Sequence, residues 1–145
     1  PDDAYLVIRG IRTLDVRLEK HEKNTKIVVN FLKKQKKIKE VLYPHKKGSK
    51  NYKNWKKYYS GATGLLGLVI KSKNKNSVYK FVNSLELFGI GYSWGGFESL
   101  AVYQDIQREF HKYNDKDLHI VRLHIGLEDP KDLINDIKSS LRYIK

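Results

Sequence analysis

From Ala4 to Leu32, apolar or semi-apolar side chains recur at three- and four-residue steps: Ala4, Val7, Ile11, Leu14, Leu18, His21, Thr25, Val28 and Leu32. That spacing is one stripe of a long helix, or of two helices continuing almost in line. A helix of roughly 35 residues rises about 50 Å, which overshoots a single domain of 145 residues. Its N-terminal half is therefore expected to pack on something outside this chain. Pro1, Asp2 and Asp3 read as a helix's first turn, with proline at N1 and acids at the positive end of the dipole, yet the usual Ser or Thr cap in front is missing. The sequence also contains no methionine. Either an initiator has been removed or the chain is part of a longer polypeptide, and the overlong helix favours the second.

Beyond the stripe, "VLYPHKKGSKN" (41–51) reads as a short strand ending at Pro44 and then a polar loop. Residues 52–59 suit a helical turn and "SGATG" (60–64) a loop. "LLGLVIKS" (65–72) has the continuous apolar run of a buried strand, and "NSVYKFVNSLELF" (76–88) puts Val78, Phe81, Val82, Leu85 and Phe88 on one helical face. "ESLAVYQ" (98–104) is extended, and "QREFHKYNDKD" (107–117) is a polar excursion whose structure the pattern leaves open. The clearest strand is "LHIVRLHIG" (118–126), which alternates Val121, Leu123 and Ile125 against Ile120, Arg122 and His124. A last helix opens with Asp129 as N-cap, Pro130 at N1 and Asp132 at N3, and turns Leu133, Ile134, Ile137, Leu141 and Ile144 inward. Strands in mixed order with helices on one face make an open α+β sandwich.

The formal net charge of +13 raises the question of nucleic acid, and its distribution decides how to read it. Between Lys33 and Lys57 there are 11 lysines against one acid, Glu40, while the other 120 residues carry 18 basic and 15 acidic side chains. The excess is local and made of lysine without arginine, whereas phosphate grooves usually bring arginine and stacking aromatics. A solvated lysine-rich surface is the preferred reading. A basic module binding nucleic acid or another polyanion through 33–57 is the alternative, kept open by Tyr52, Trp55, Tyr58 and Tyr59, whose spacing is equally that of a short helix. The absence of cysteine excludes disulfides and thiolate metal sites. With no apolar run near 20 residues and no basic signal-peptide opening, a cytoplasmic protein is expected.

Two places could carry chemistry. "GYSWGGFESL" (91–100) serves neither a helix nor a buried strand, because glycine costs a helix about 1 kcal/mol relative to alanine and here there are three, Gly91, Gly95 and Gly96. The stretch is either a bulge at a bent strand or a device that holds Trp94 out. Arg122 lies on the strand face opposite Val121, Leu123 and Ile125. Its planar fork suits a carboxylate bidentately, which a lysine cannot reproduce; the plainer reading is an edge charge paired with a surface acid. His124 shares that face. His21, His45, His111 and His119 show no metal-ligand spacing with acids, so no metal is expected. No Ser-His-Asp order or nucleophile elbow is present, and "SGATGLLG" lacks the Gly-Lys-Ser/Thr ending of a phosphate loop.

Three blocks, "PDDAYLVIRGIRTLDVRLEKHEKNT" (1–25), "GYSWGGFESL" (91–100) and "VRLHIGLEDPKDLINDI" (121–137), strongly resemble the C-terminal part of the cystathionine β-lyases, within the Cys/Met-metabolism family of pyridoxal-phosphate enzymes. The resemblance runs from residue 1 to the end and is weak at 33–60 and 103–117. It implies the C-terminal small domain of a fold type I enzyme: an open mixed or antiparallel sheet with helices on one face, preceded by a long linking helix. Residues 1–25 would then belong to the end of the large domain and its link, and 26–145 to the α+β domain. It also implies C–S β-elimination of cystathionine to homocysteine, pyruvate and ammonia, in transsulfuration and methionine biosynthesis. By the motif match Arg122 would clamp the substrate's α-carboxylate, with Ser93 and Trp94 lining that pocket. The family's Schiff-base lysine lies in a large-domain Ser/Thr-Lys segment upstream of this chain. Thr25-Lys26, Ser49-Lys50 and Ser72-Lys73 are not in that context, and the residues that hold the cofactor's phosphate and ring are upstream too. The resemblance thus implies pyridoxal 5'-phosphate in a complete, homo-oligomeric enzyme, a large domain on the same or a separate polypeptide as partner, and neither cofactor nor activity for this chain alone.

Overall fold

A computed structural model describes residues 1–105 and 115–145 of the chain. The polar stretch 107–117 lies outside the described residues except for its last three. The apolar stripe forms two helices, α1 (Asp2–Ile11) and α2 (Leu14–Leu32). The break has a local cause: the Gly10 carbonyl is taken by the Thr13 hydroxyl at 3.4 Å and by Arg17 Nη1 at 3.0 Å, which diverts an acceptor from the helical ladder at a residue already poor at holding a helix. No residue of α1 is buried. Tyr5, Leu6, Val7, Ile8 and Ile11 each keep more than half of their surface in solvent. Burial begins at His21 and continues through Asn24, Thr25, Val28, Val29 and Leu32.

Five strands form one sheet in the order β1-β2-β5-β4-β3, from β1 (Ile38–Leu42), β2 (Leu65–Lys71), β3 (Gly89–Ile90), β4 (Leu100–Gln104) and β5 (Leu118–His124). All neighbours are antiparallel except β3 and β4. Strand β5 is central and its alternation is as expected, with Val121 and Leu123 fully buried. Helices α2, α4 (Lys75–Asn83) and α5 (Pro130–Ser140) cover that face, and a core of Leu32, Leu68, Ile70, Phe81, Leu123, Leu133 and Ile137 fills the space between. A smaller apolar cluster, Val69 and Leu118 with Leu42 and Ile120, lies apart from it. Helix α3 (Tyr52–Tyr58) buries none of its residues; Tyr52 stacks on Trp55 with ring centroids 5.5 Å apart, and Tyr58 and Tyr59 stay exposed.

Two boundaries differ from the sequence expectation for identifiable reasons. Strand β1 starts at Ile38 rather than Val41, because the register shifts between Ile38 and Glu40 and a bulge breaks the period-two pattern that would have announced it. Helix α4 stops at Asn83 rather than running to Phe88. The Ser84 hydroxyl folds back on the Phe81 carbonyl at 3.0 Å, and the Asp136 carboxylate of α5 accepts from the Glu86 and Leu87 backbone N–H groups at 3.0 and 2.9 Å. A tertiary acceptor has displaced the helical one there. The start of α5 is as read: Asp129 Oδ1 accepts from the Lys131 N–H at 2.7 Å, followed by Pro130. Asp129→Ala should therefore lower stability by about 1 kcal/mol. The measurement is the urea midpoint at unchanged slope, and a midpoint identical to wild type would show that the cap contributes nothing.

Candidate active-site wall

The strand β5 backbone sets Arg122 between Gly67 of β2 and Val102 of β4. Its guanidinium is half-buried and reaches the 91–97 segment, where Nη2 donates to the Tyr92 carbonyl and, at 3.4 Å, to that of Gly91. The Arg122 guanidinium also lies 5.6 Å from the Tyr92 ring centroid. Ion pairs between described residues are Lys26–Glu22, His45–Glu22 and Lys75–Asp105, so Arg122 is in none of them. The acid partner that the plainer sequence reading supposed is absent among the described residues. Ser93 follows directly after the carbonyl that Arg122 grips, and Trp94 keeps 59% of its surface exposed.

The 91–97 segment is held by side chains from distant parts of the chain. Gly95 has φ +83°, a backbone region that a side chain would strain. Its N–H donates to His124 Nε2 at 3.1 Å, and its carbonyl accepts from Arg17 Nε at 3.4 Å. The Gly96 carbonyl lies 2.9 Å from His21 Nε2. Further along, the Glu128 carboxylate accepts from the Ser99 N–H at 2.6 Å and the Ser99 hydroxyl at 2.9 Å, while the Gly126 N–H donates to that hydroxyl at 2.9 Å. Asn24 Nδ2 closes the frame on the carbonyls of Gly126 at 3.0 Å and Glu128 at 2.8 Å. Gly126 is required by contact alone, since an added Cβ would stand 2.4 Å from the Phe97 carbonyl oxygen. Helix α2, the bent segment and the turn after β5 are thus one hydrogen-bonded unit.

Burial pushes the His21 and His124 imidazoles below the ordinary histidine range; nearby positive charge from Arg17 on His21, and from His21 and Arg122 on His124, acts in the same direction, and the Gly96 carbonyl and Glu128 oppose it. Although His124 and Arg122 share a strand face, their surroundings differ: His124 is buried against His21 while Arg122 opens toward Tyr92. Arg17, His21, Asn24, His124 and Glu128 were not among the site residues read from the sequence. The signals were His21 in an otherwise apolar stripe and His124 on the face of Arg122, which mark polar partners without saying which.

The three Ser/Thr-Lys pairs fall on α2, in the loop after β1 and just after β2. Lys26 is engaged with Glu22 at 2.5 Å. Ser72-Lys73 follows the end of β2 remote from Gly67, and the Ser72 hydroxyl is occupied by Ser77 and the Lys145 carbonyl at 3.0 and 2.7 Å. Lys50 lies in the loop beyond edge strand β1. No three His, Asp or Glu side chains gather for a metal among the described residues. Of the eleven lysines at 33–57 all but Lys46 are exposed; Lys37 caps the chain's end by donating to the Leu141 and Ile144 carbonyls, and Lys46 bonds Asn30.

A family model described as "Cys/Met metabolism PLP-dependent enzyme" matches residues 1–142. The chain belongs to that family. Cystathionine β-lyase MetC of Escherichia coli is 35% identical over 148 residues, covering 99% of this chain and 38% of the relative. An L-alanine/L-glutamate racemase of Wolbachia pipientis is also 35% identical, over 96% of this chain and 35% of its own length. Among solved structures, one from Campylobacter jejuni described as an O-acetylhomoserine (thiol)-lyase, which carries N'-pyridoxyl-lysine-5'-monophosphate, superposes with a TM-score of 0.81 at 32% identity, over 97% of this chain and 32% of that one. The α+β architecture with its five-stranded mixed sheet is thus that of a domain within a fold type I enzyme. The chain spans little more than a third of the length of the relatives it matches. No helix among the described residues is long and apolar enough to cross a membrane.

Proposed function

We propose that this chain is the substrate-pocket wall of a pyridoxal-phosphate-dependent C–S lyase acting on cystathionine, with residues 1–25 serving as the link to a large domain and 26–145 as the C-terminal domain. What carries the reading is the state of Arg122: half-buried, fixed by one edge of its fork to the backbone of 91–92, and in no ion pair with a described residue. A guanidinium so placed binds a planar anion with its remaining donors, and an amino-acid substrate supplies one in its α-carboxylate. Ser93, beside it, offers a hydroxyl to the same group. Trp94 gives a rigid apolar wall that keeps water from the reacting carbon. When bound by the complete enzyme, pyridoxal phosphate supplies the electron sink for eliminating the sulfur group; this chain orients the carboxylate and shields the site.

The reading makes activity a property of two parts. The chain alone, given pyridoxal phosphate and cystathionine, should release no pyruvate, and co-expression with a large domain carrying the family's Schiff-base lysine should restore release. A pyridoxal absorbance band that survives dialysis of the chain alone would overturn the incomplete-site part. A reconstituted enzyme that racemises alanine or glutamate and leaves cystathionine intact would overturn the substrate.

A further inference from the structure

His21 of α2 and His124 of β5 meet edge to face with ring centroids 4.9 Å apart, and together they grip the backbone of two consecutive glycines. Both rings are buried, and neither Nδ1 has a hydrogen-bond partner among the described residues. The backbone partners dictate the protonation. A peptide N–H can only donate, so His124 Nε2, facing the Gly95 N–H, carries a lone pair and the ring's proton sits on Nδ1. A carbonyl can only accept, so His21 Nε2, facing the Gly96 oxygen, carries the proton. Two adjacent histidines are held in opposite tautomers by the segment they hold.

We propose that His21 and His124 are positioning residues that place Ser93 and Trp94 through the Gly95 and Gly96 backbone, and that His124 lets go of Gly95 when it takes a second proton. The proposal rests on the reading of Ser93 and Trp94 as a pocket wall. Protonation of His124 at Nε2 sets one N–H against the Gly95 N–H, so that bond must break, and the neighbouring Gly96 carbonyl is the acceptor then at hand. Protonation of His21 at Nδ1 leaves its bond to Gly96 intact. The charged and titratable groups facing His124 are Arg17 and His21 from α2, Arg122 from its own strand, and Glu128 from the turn before α5. Because burial makes both folded rings harder to protonate than in the unfolded chain, where histidine titrates near about 6.5, the hold persists at that pH and is lost only as pH falls through the lower folded value of His124.

The test uses the 145-residue chain labelled with 15N in glycine and histidine. At pH 7.5 the imidazole nitrogen shifts should show His124 protonated on Nδ1 and His21 on Nε2. Lowering the pH should reduce the protection factor of the Gly95 amide about five- to tenfold, the loss of one hydrogen bond, in step with His124 titration, while the Gly67 amide in the middle of β2 stays protected and reports that the sheet persists. His124→Gln, which keeps an acceptor at the end of a neutral side chain, should hold Gly95 and abolish the pH step; His124→Phe should expose Gly95 at every pH. Finding both histidines protonated on Nε2, or a Gly95 amide indifferent to His124 titration, overturns the proposal. If His124→Phe does not fold, the wild-type tautomers and His124→Gln still decide. None of these readouts needs lyase activity, so failure here and failure of the reconstitution are separate results.

Discussion

Arg122→Ala in the reconstituted lyase should lower kcat/KM by roughly 30-fold to several thousandfold, and Arg122→Lys should recover little of the loss. Truncating one partner of a hydrogen-bonded charge pair costs about 2–5 kcal/mol, and each 1.4 kcal/mol is tenfold. Lysine keeps the charge but not the fork, and it also cannot hold the Tyr92 carbonyl and a carboxylate in one plane as the guanidinium does. Steady-state kinetics with cystathionine reads the effect, and a substrate analogue lacking the α-carboxylate serves as control. That analogue should lose its discrimination between wild type and Arg122→Ala. An Arg122→Lys enzyme within threefold of wild type would remove the bidentate role.

The second large effect is on stability. Phe81 is fully buried where α4 lies against the sheet, within the cluster that contains Val78, Val82, Leu133 and Ile137. Truncation of a buried phenylalanine to alanine typically costs 3–5 kcal/mol through lost transfer energy and the cavity left behind, against a total of about 5–15 kcal/mol for a domain. Phe81→Ala should therefore shift the urea midpoint strongly at unchanged slope and leave part of the chain unfolded near body temperature. A loss below about 1 kcal/mol would mean that the helix layer collapses onto the sheet with little cavity, and the core would then be less closely packed than its burial indicates.

Much of this was legible in the residues. The β5 alternation, the Asp129-Pro130 start of α5 and the stripe from Ala4 to Leu32 rest on local rules, and the structure follows them. The bulge hid the start of β1 because a single extra residue erases the period that identifies a strand. The end of α4 was hidden because its cause, Asp136, lies half a hundred residues away in sequence. For the proposed pocket wall, the Gly-rich misfit at 91–100 and the arginine on the solvent side of a buried strand are the features that stand out, and the structure brings Arg122 onto the backbone of 91 and 92. What no spacing could reveal is the clamp behind them. Arg17, His21 and His124 converge on two adjacent glycines across separations of 78, 75 and 29 residues, and the tautomer of each ring is chosen by a peptide group that only the fold supplies.

Helix α2 links α1 to the segment that carries Trp94. Beyond its first turn projects α1, with its apolar residues in solvent; its own early turns carry Arg17 and His21, whose tips end on Gly95 and Gly96. A helix is stiff along its axis, so α2 works as a cantilever anchored in the core at Val28 and Leu32. On the proposed reading, a large domain that takes hold of α1 would also load the beam from which the tryptophan loop hangs, and its docking and the alignment of the proposed pocket wall would become one mechanical event.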